Sequence, residues 1–523
     1  MKRRQFLAGS AGGLALTQLH PASAFWPSAD LTLRAWLPEG QPLPVEQLRQ
    51  LYFLDLQDEP LPNPPRAVAP GHLKSQAPTH WPVAIALRMP VSGFGQVALY
   101  ADNRGQGFLP SDFPLSLNEV FARDRIHRVQ TALTQWRQAG YTFAARIEAR
   151  LAKAGQLLEQ AAATDSLPAQ VHLWNDSLVE SLWAGEESAI ARAQQRIQQR
   201  PPRQDFLFGC NFFGHPHQGD VYDQRFRQIF NFATVPFYWQ GFEPVQGDPQ
   251  YAPIDRQVAW LRQAGIIPKG HPLVWFHDVS VPDWLRDLPY PEVKGLVQRR
   301  VRQITQRYGS QIPYYDVINE AHDVPWANAL NFSDDQFLDL TQAACEAAQQ
   351  GYSQVNRIVN SCCLWAQNVA YNGPPQRSPY RYLRACLDAG IEFETIGLQL
   401  YYPDQDMFEI DRLLDRFAGL GKPLHITEMA TSSNSGVDEQ SQLQEARGLW
   451  HAPWSESVQA DWVEQIYTLG YSKPEVQAIT WWDFSDLGVF WPFGGLLDRD
   501  LQPKAAFERL RHLLQSWQVP HVL

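Results

Sequence analysis

Cysteine is scarce in this chain, with five residues in 523, at positions 210, 345, 362, 363 and 386. The odd count and scattered positions argue against a disulfide framework. No Cys/His spacing follows a zinc-binding pattern, so no metal site is expected. Basic charge is also in deficit: 44 Lys and Arg stand against 55 Asp and Glu, a formal net charge of −11. No long basic run exists beyond the extreme N-terminus, so nucleic acid is not an expected partner. No stretch after the N-terminal segment is apolar for long enough to span a bilayer, so no membrane partner is expected either.

Apolar residues make up 44% and charged residues 19%, which suits a large core, and the length implies more than one domain. The 19 tryptophans serve either that core or flat platforms for a ring-shaped ligand. The chain opens Lys2-Arg3-Arg4-Gln5-Phe6-Leu7, continues through a mildly apolar, Gly-rich run to Leu19 and reaches Ala22-Ser23-Ala24. A charged start, an apolar middle and a small-x-small cleavage site describe a signal peptide over residues 1–24. The paired arginines followed by Phe-Leu resemble a twin-arginine signal, which predicts a periplasmic or extracellular protein beginning near Phe25. Folded export suits a large protein that does not depend on disulfides.

Residues 25–115 carry short alternating runs, such as Leu31-Thr32-Leu33-Arg34-Ala35-Trp36 and Val83-Ala84-Ile85-Ala86-Leu87-Arg88, between Pro- and Gly-rich turns. They predict a small β-sandwich, either a carbohydrate-binding or a packing unit. Residues 116–203 switch to helical periodicity with a break at Pro168, which predicts a helical hairpin. Residues 204–523 alternate strand-like and helix-like runs. Strands are expected near 206–211, 231–237, 267–274, 314–318, 356–360, 394–400, 423–427 and 477–482. Eight βα units over about 310 residues predict an α/β fold, a (β/α)8 barrel whose working residues stand at the C-terminal strand ends.

Two of those ends are polar where burial makes polarity costly. Tyr314-Tyr315-Asp316-Val317-Ile318 runs into Asn319-Glu320, and Leu424-His425-Ile426-Thr427 runs into Glu428. These are the fourth and seventh strands, across the barrel mouth from each other. Two carboxylates facing one cleft can divide the roles of proton donor and nucleophile in breaking a glycosidic bond.

Several further stretches fall in order along the barrel. They are Phe242-Glu243-Pro244 with Gly247, Gly270-His271-Pro272-Leu273-Val274-Trp275, Asp316-Val317-Ile318-Asn319-Glu320-Ala321 and Ile426-Thr427-Glu428. Trp482, Asp486, Trp491 and Pro503-Lys504-Ala505 follow. Over residues 206 to about 515 the sequence resembles glycoside hydrolase family 10, the retaining endo-β-1,4-xylanase family. The resemblance implies Glu320 as acid/base and Glu428 as nucleophile, with Asn319 binding the sugar 2-hydroxyl. It also implies His271 and Gln399 holding the sugar, Trp275, Trp482 and Trp491 walling it, no cofactor, and a polysaccharide or oligosaccharide substrate. A monomer is expected.

The chain departs from the family's pattern around the sugar. Thr234-Val235-Pro236-Phe237-Tyr238-Trp239 stands where the family has Glu-Asn-x-Met-Lys-Trp, so Tyr238 replaces a lysine and the pocket near Phe237 and Tyr238 becomes more aromatic. Gln399-Leu400-Tyr401 replaces Gln-Ser-His, and Ala430 replaces the Asp that partners that His. Tyr401 can donate to Glu428 in their place. The His that normally follows Trp275 directly is His277, one residue later. The loops 431–456, with Trp450 and Trp454, and 484–493 are expected to border the cleft. A barrel that binds sugar without cleaving it is the alternative; a metal-dependent hydrolase finds no ligand cluster in the sequence.

Overall fold

Alternate apolar positions build the first sheets. In β1 (Leu31–Arg34) the two leucines are buried and Arg34 is exposed. The strands that follow are β2 (Tyr52–Leu54), β3 (Arg66–Ala69), β4 (His72–Ser75), β5 (Ala84–Val91), β6 (Gly95–Ala101) and β7 (Leu115–Ser116). They form a four-stranded sheet, β3-β4-β1-β7, and a three-stranded sheet, β2-β5-β6. Leu33 and Leu73 of the first share one core with Phe53, Ile85 and Leu99 of the second, a sandwich-like arrangement. The computed structural model describes residues 31–75, 81–215, 217–371, 377–401 and 405–519, so the signal expected over 1–24 lies outside the described residues.

The helical stretch consists of three helices rather than a hairpin: Leu117–Gln138, Ala145–Ala162 and Leu167–Gln198. The first break falls at Ala139-Gly140, where Gly140 takes φ +93°, a conformation that carries no Cβ penalty in glycine. Pro168 sits in the first turn of the third helix, where its missing N–H leaves no bond unmade.

The barrel strands are β8 (Leu207–Asn211), β9 (Phe232–Pro236), β10 (Ile267–His271), β11 (Tyr314–Asn319), β12 (Asn356–Ser361), β13 (Thr395–Gln399), β14 (Leu424–Glu428) and β15 (Val476–Trp481). They pair in parallel in sequence order, and β15 closes on β8 with Ala478 opposite Leu207 and Trp481 opposite Cys210. All eight expected strands are present, and the fold is a (β/α)8 barrel. The near-continuous apolar runs are explained by burial on both faces of each strand. Gly397 of β13 must lack a side chain, because a Cβ there would come within 2.5 Å of Asn360 Oδ1.

Charge fastens the helices to the barrel. Asp406 caps the barrel helix Met407–Ala418 by accepting from the N–H groups of Phe408 and Glu409. The same carboxylate takes a two-pronged contact from Arg125 of the first long helix, at 2.8 and 3.1 Å, and Arg125 also reaches Glu409 at 3.0 Å. Arg192 of the third long helix binds Asp411 at 2.5 Å. Burial alone would raise Glu409, but the guanidinium groups of Arg128, Arg412 and Arg125 hold it well below the usual carboxylate range. The loop after β14 is also tied down: Gln96 N–H donates to Leu449 O at 2.9 Å and Gly95 bridges Trp450. His451 sits 2.9 Å from Phe94 O and 2.6 Å from Glu186 Oε1. Removing one partner of a buried ionic cluster strands the other. Arg125→Met is expected to lower the free energy of unfolding by about 3–5 kcal/mol, read from urea denaturation of the full chain.

Candidate active site

The barrel mouth opens into a cleft of about 1090 Å3. Asn319 ends β11, and Glu320 follows it at φ +55°. That left-handed conformation costs a non-glycine residue about 1–2 kcal/mol. The Glu320 N–H is satisfied by Asn360 O at 2.9 Å, which ties the strained residue to the end of β12. Glu428 ends β14, and its carbonyl accepts from the Leu400 N–H at 2.6 Å.

The two carboxyl groups are joined by a chain of amides. Gln399 Nε2 donates to Glu320 Oε1 at 2.8 Å and to Asn319 Oδ1 at 3.2 Å. Asn360 Nδ2 donates to the same Asn319 oxygen at 2.8 Å and to Glu428 Oε1 at 3.1 Å. Thr427 Oγ1 fixes Asn360 by donating to its Oδ1 at 2.5 Å. Aromatic residues donate to the outer oxygens: Trp275 Nε1 to Glu320 Oε2 at 3.0 Å, and Tyr401 Oη to Glu428 Oε2 at 3.0 Å. Tyr401 is held by the parallel ring of Trp491, with centroids 5.6 Å apart, and by the edge of Phe490.

His271 Nδ1 and Lys269 Nζ both lie 2.7 Å from Asp316 Oδ2, and all three residues are buried. Burial depresses the His271 imidazole, and the contact with Asp316 works against it. With Nδ1–H given to Asp316, Nε2 is an acceptor on the cleft side, 3.8 Å from Glu428 Oε1. The ring of Trp482 stands edge-on to His271 at 5.1 Å, and Tyr238 approaches His271 and Trp275 at 5.7 and 5.9 Å.

All ten residues singled out in the sequence line this one cleft: Glu320, Glu428, Asn319, His271, Trp275, Gln399, Tyr401, Tyr238, Trp482 and Trp491. Three aromatic expectations need correction. Phe237 turns away from the cleft and packs on Phe242, Tyr308 and Tyr315. Trp450 and Trp454 are both 4% exposed and belong to the core; the loop presents Gln442, Leu443 and Arg447 instead. His277, displaced by one residue, still reaches the cleft by stacking on Trp275 at 4.7 Å.

Sequence reasoning missed Asn360, although it too is a polar residue at the end of an apolar strand. It also missed Asp483, whose carboxylate accepts from the N–H groups of Phe490 and Trp491 and shapes the loop after β15. Trp326, 66% exposed, and Arg88 of β5 line the cleft as well, and nothing in their local sequence marks them.

Burial raises the Glu320 carboxyl to about 7; the charge of Asp323 adds to this, while the donors from Gln399, Trp275 and Asn319 oppose it. Burial also pushes Glu428 well above the carboxylate range, with the charge of Glu320 adding and those of Lys269 and the Tyr401 contact opposing. A carboxyl raised by folding favours the fold while protonated, and that favour is lost as pH rises from about 4.5 to about 7. Glu320→Gln removes the penalty. It is expected to raise the free energy of unfolding by about 2–3 kcal/mol near pH 8 and to change little near pH 4, as measured by urea titration at both.

The profile described as Glycosyl hydrolase family 10 matches residues 204–513. The chain is 22% identical over 331 residues to Endo-1,4-beta-xylanase B of Thermotoga neapolitana, covering 60% of this chain and 88% of that one. It is 25% identical over 290 residues to Endo-1,4-beta-xylanase A of Thermoanaerobacterium saccharolyticum, covering 51% of this chain and 23% of that longer protein. Native xylanase 10B from Thermotoga maritima is a structural neighbour at 19% identity and a TM-score of 0.48, over 62% of this chain and 97% of that chain. With the family profile spanning more than half of its length, the chain belongs to glycosyl hydrolase family 10 and is a glycoside hydrolase.

Proposed function

We propose that this protein is an exported, retaining hydrolase that cleaves internal β-1,4 linkages of xylan or a related β-glycan, with Glu320 as acid/base and Glu428 as nucleophile. The observation that carries the chemistry is the pairing of two buried carboxyl groups in one cleft. Both are raised by burial, so the pair keeps one proton near neutral pH. Asp323 adds negative charge beside Glu320, while at Glu428 the positive charge of Lys269 is opposed by the charges of Glu320 and Asp316. The order of roles follows the family resemblance of the β11 and β14 ends: Glu320 gives the proton, and Glu428 attacks as the anion, to which the Tyr401 hydroxyl and the Asn360 amide each donate.

Glu428 attacks the anomeric carbon while the bond to the leaving oxygen breaks and that oxygen takes the proton of Glu320. Glu320 then removes a proton from water, which displaces Glu428 and restores both groups. Asn319 presents an amide between the two carboxylates, placed to bind a sugar hydroxyl beside the bond being cut. His271 Nε2 accepts from another hydroxyl, and Trp275, Trp482 and Tyr238 enclose the ring. Relatives named as endo-1,4-beta-xylanases support the substrate class. Replacing the family's charged and amide groups by Tyr238 and its neighbours favours a change in sugar preference, because a site built to bond particular hydroxyls rejects sugars that lack them. Export through the twin-arginine route rests on residues 1–24. The division into 25–115, 116–203 and 204–523 rests on where strands give way to helices and helices to the barrel.

An aryl β-xyloside and an aryl β-cellobioside test the chemistry. Turnover is expected to vanish in Glu428→Ala and to return with azide as a glycosyl azide of inverted configuration. A first-formed product of inverted anomeric configuration in the unaltered enzyme, followed by NMR, would refute retention, and no turnover on a broad β-glycan panel would leave only a binding barrel. As pH rises through about 7, kcat/KM is expected to fall as Glu320 loses its proton, and Asp323→Asn should move that limb to lower pH. Tyr401→Phe removes one hydrogen bond to a charged group, worth about 1.5–3 kcal/mol, so kcat should drop about 10- to 100-fold with little change in KM.

A further inference from the structure

Beside Glu320, two loops bring together four donors that take no direct part in breaking the bond. Asp323 and His322 follow β11, and Cys362 and Cys363 follow β12. One atom each of Asp323, Cys362 and Cys363 lie within 4.8 Å of one another. Cys362 Sγ is 3.8 Å from Asp323 Oδ2 and 3.9 Å from His322 Nε2. Asp323 is 5% exposed and its Oδ1 has no hydrogen-bond partner; His322 is 1% exposed and its Nδ1 has none. No basic side chain is ion-paired with Asp323 among the described residues. Arg377, which acts on His322 electrostatically, is engaged by Asp334 at 3.3 Å.

We propose that Asp323, Cys362 and Cys363, with His322 in reach as a fourth donor, form a site for a thiophilic divalent cation such as zinc. A tetrahedral ion ~2.3 Å from sulfur and ~2.0 Å from oxygen or nitrogen keeps its donors ~3.5–3.8 Å apart. The contacts of Cys362 with Asp323 and His322, at 3.8 and 3.9 Å, come within a few tenths of an ångström of that spacing, and small side-chain rotations close the difference. Two sulfurs select a soft or borderline ion over calcium or magnesium. Both cysteines are partly exposed and line the cleft with Glu320, which gives the ion an entry path. Binding one ion releases two thiol protons to solvent and leaves a dithiolate and a carboxylate around a doubly charged cation, so affinity rises with pH. Contiguous His-Asp and Cys-Cys pairs in the loops after neighbouring strands do not have the spacing of a zinc motif in sequence, which is why the chain conceals the site.

The test is titration of the full chain with cadmium ion alone, following the thiolate-to-cadmium absorbance in the near ultraviolet. One ion per chain is expected, with the band lost in the Cys362→Ser, Cys363→Ser double variant. The remaining cysteines, Cys210, Cys345 and Cys386, are buried and should not contribute. A second measurement needs no variant: zinc should protect Cys362 and Cys363 from iodoacetamide, with the labelled positions read by mass spectrometry. No band in the unaltered chain, an undiminished band in a folded double variant, or unprotected thiols would overturn the site.

Discussion

Two carboxyl groups facing one cleft must be held apart, given donors and prevented from sharing a proton directly. Most polar groups at the barrel mouth answer to that constraint. At ~5 Å and an effective dielectric of ~20, two such charges repel by about 3 kcal/mol. The amides of Gln399, Asn319 and Asn360 fill the space between Glu320 and Glu428 without adding charge. Lys269 is kept from pairing directly with Glu428 by its contact with Asp316, so it biases the site without closing it. The missing side chain at Gly397 follows from the same need, since it makes room for Asn360.

The barrel and its two principal carboxylates were legible in the sequence because burial on both faces writes long apolar runs, and a polar residue ending such a run stands out. Asn319, Glu320 and Glu428 were found that way. Asn360 escaped because Asn360-Ser361 reads equally well as the start of a turn. Phe237, Trp450 and Trp454 were placed in the cleft from their neighbours, but a single residue's turn decides which face a ring takes, and local sequence does not record that turn. The three-helix unit was undercounted because Ala139-Gly140 is a weaker break signal than Pro168, which begins a helix here instead of ending one. Arg88 and Trp326 reach the cleft only through long-range packing.

The exchange around Glu428 shows how a support network can be replaced as a whole. Where the resemblance predicts a histidine and an aspartate, the chain has Tyr401 and Ala430. A phenol is a neutral donor that needs no acid to set its tautomer, so the second residue has nothing to do and becomes a small buried side chain. Orientation passes to the rings of Trp491 and Phe490, and from them to Asp483, which holds their backbone. The bond to Glu428 is thereby supported from the loop after β15 instead of from the loop after β14.

Gly95 carries a consequence for inheritance. At φ +135° it lets the backbone lie against the loop after β14 so closely that a Cβ would sit 2.8 Å from Leu449 O and 2.9 Å from His451 N. That loop contributes Gln442, Leu443 and Arg447 to the cleft, yet its mould is a segment far ahead of the family-matched stretch. A recombination that exchanged residues 204–513 alone would deliver the loop without the surface it was cast on. The shape of that cleft loop is thus set by the N-terminal sheets as well as by the barrel that carries it.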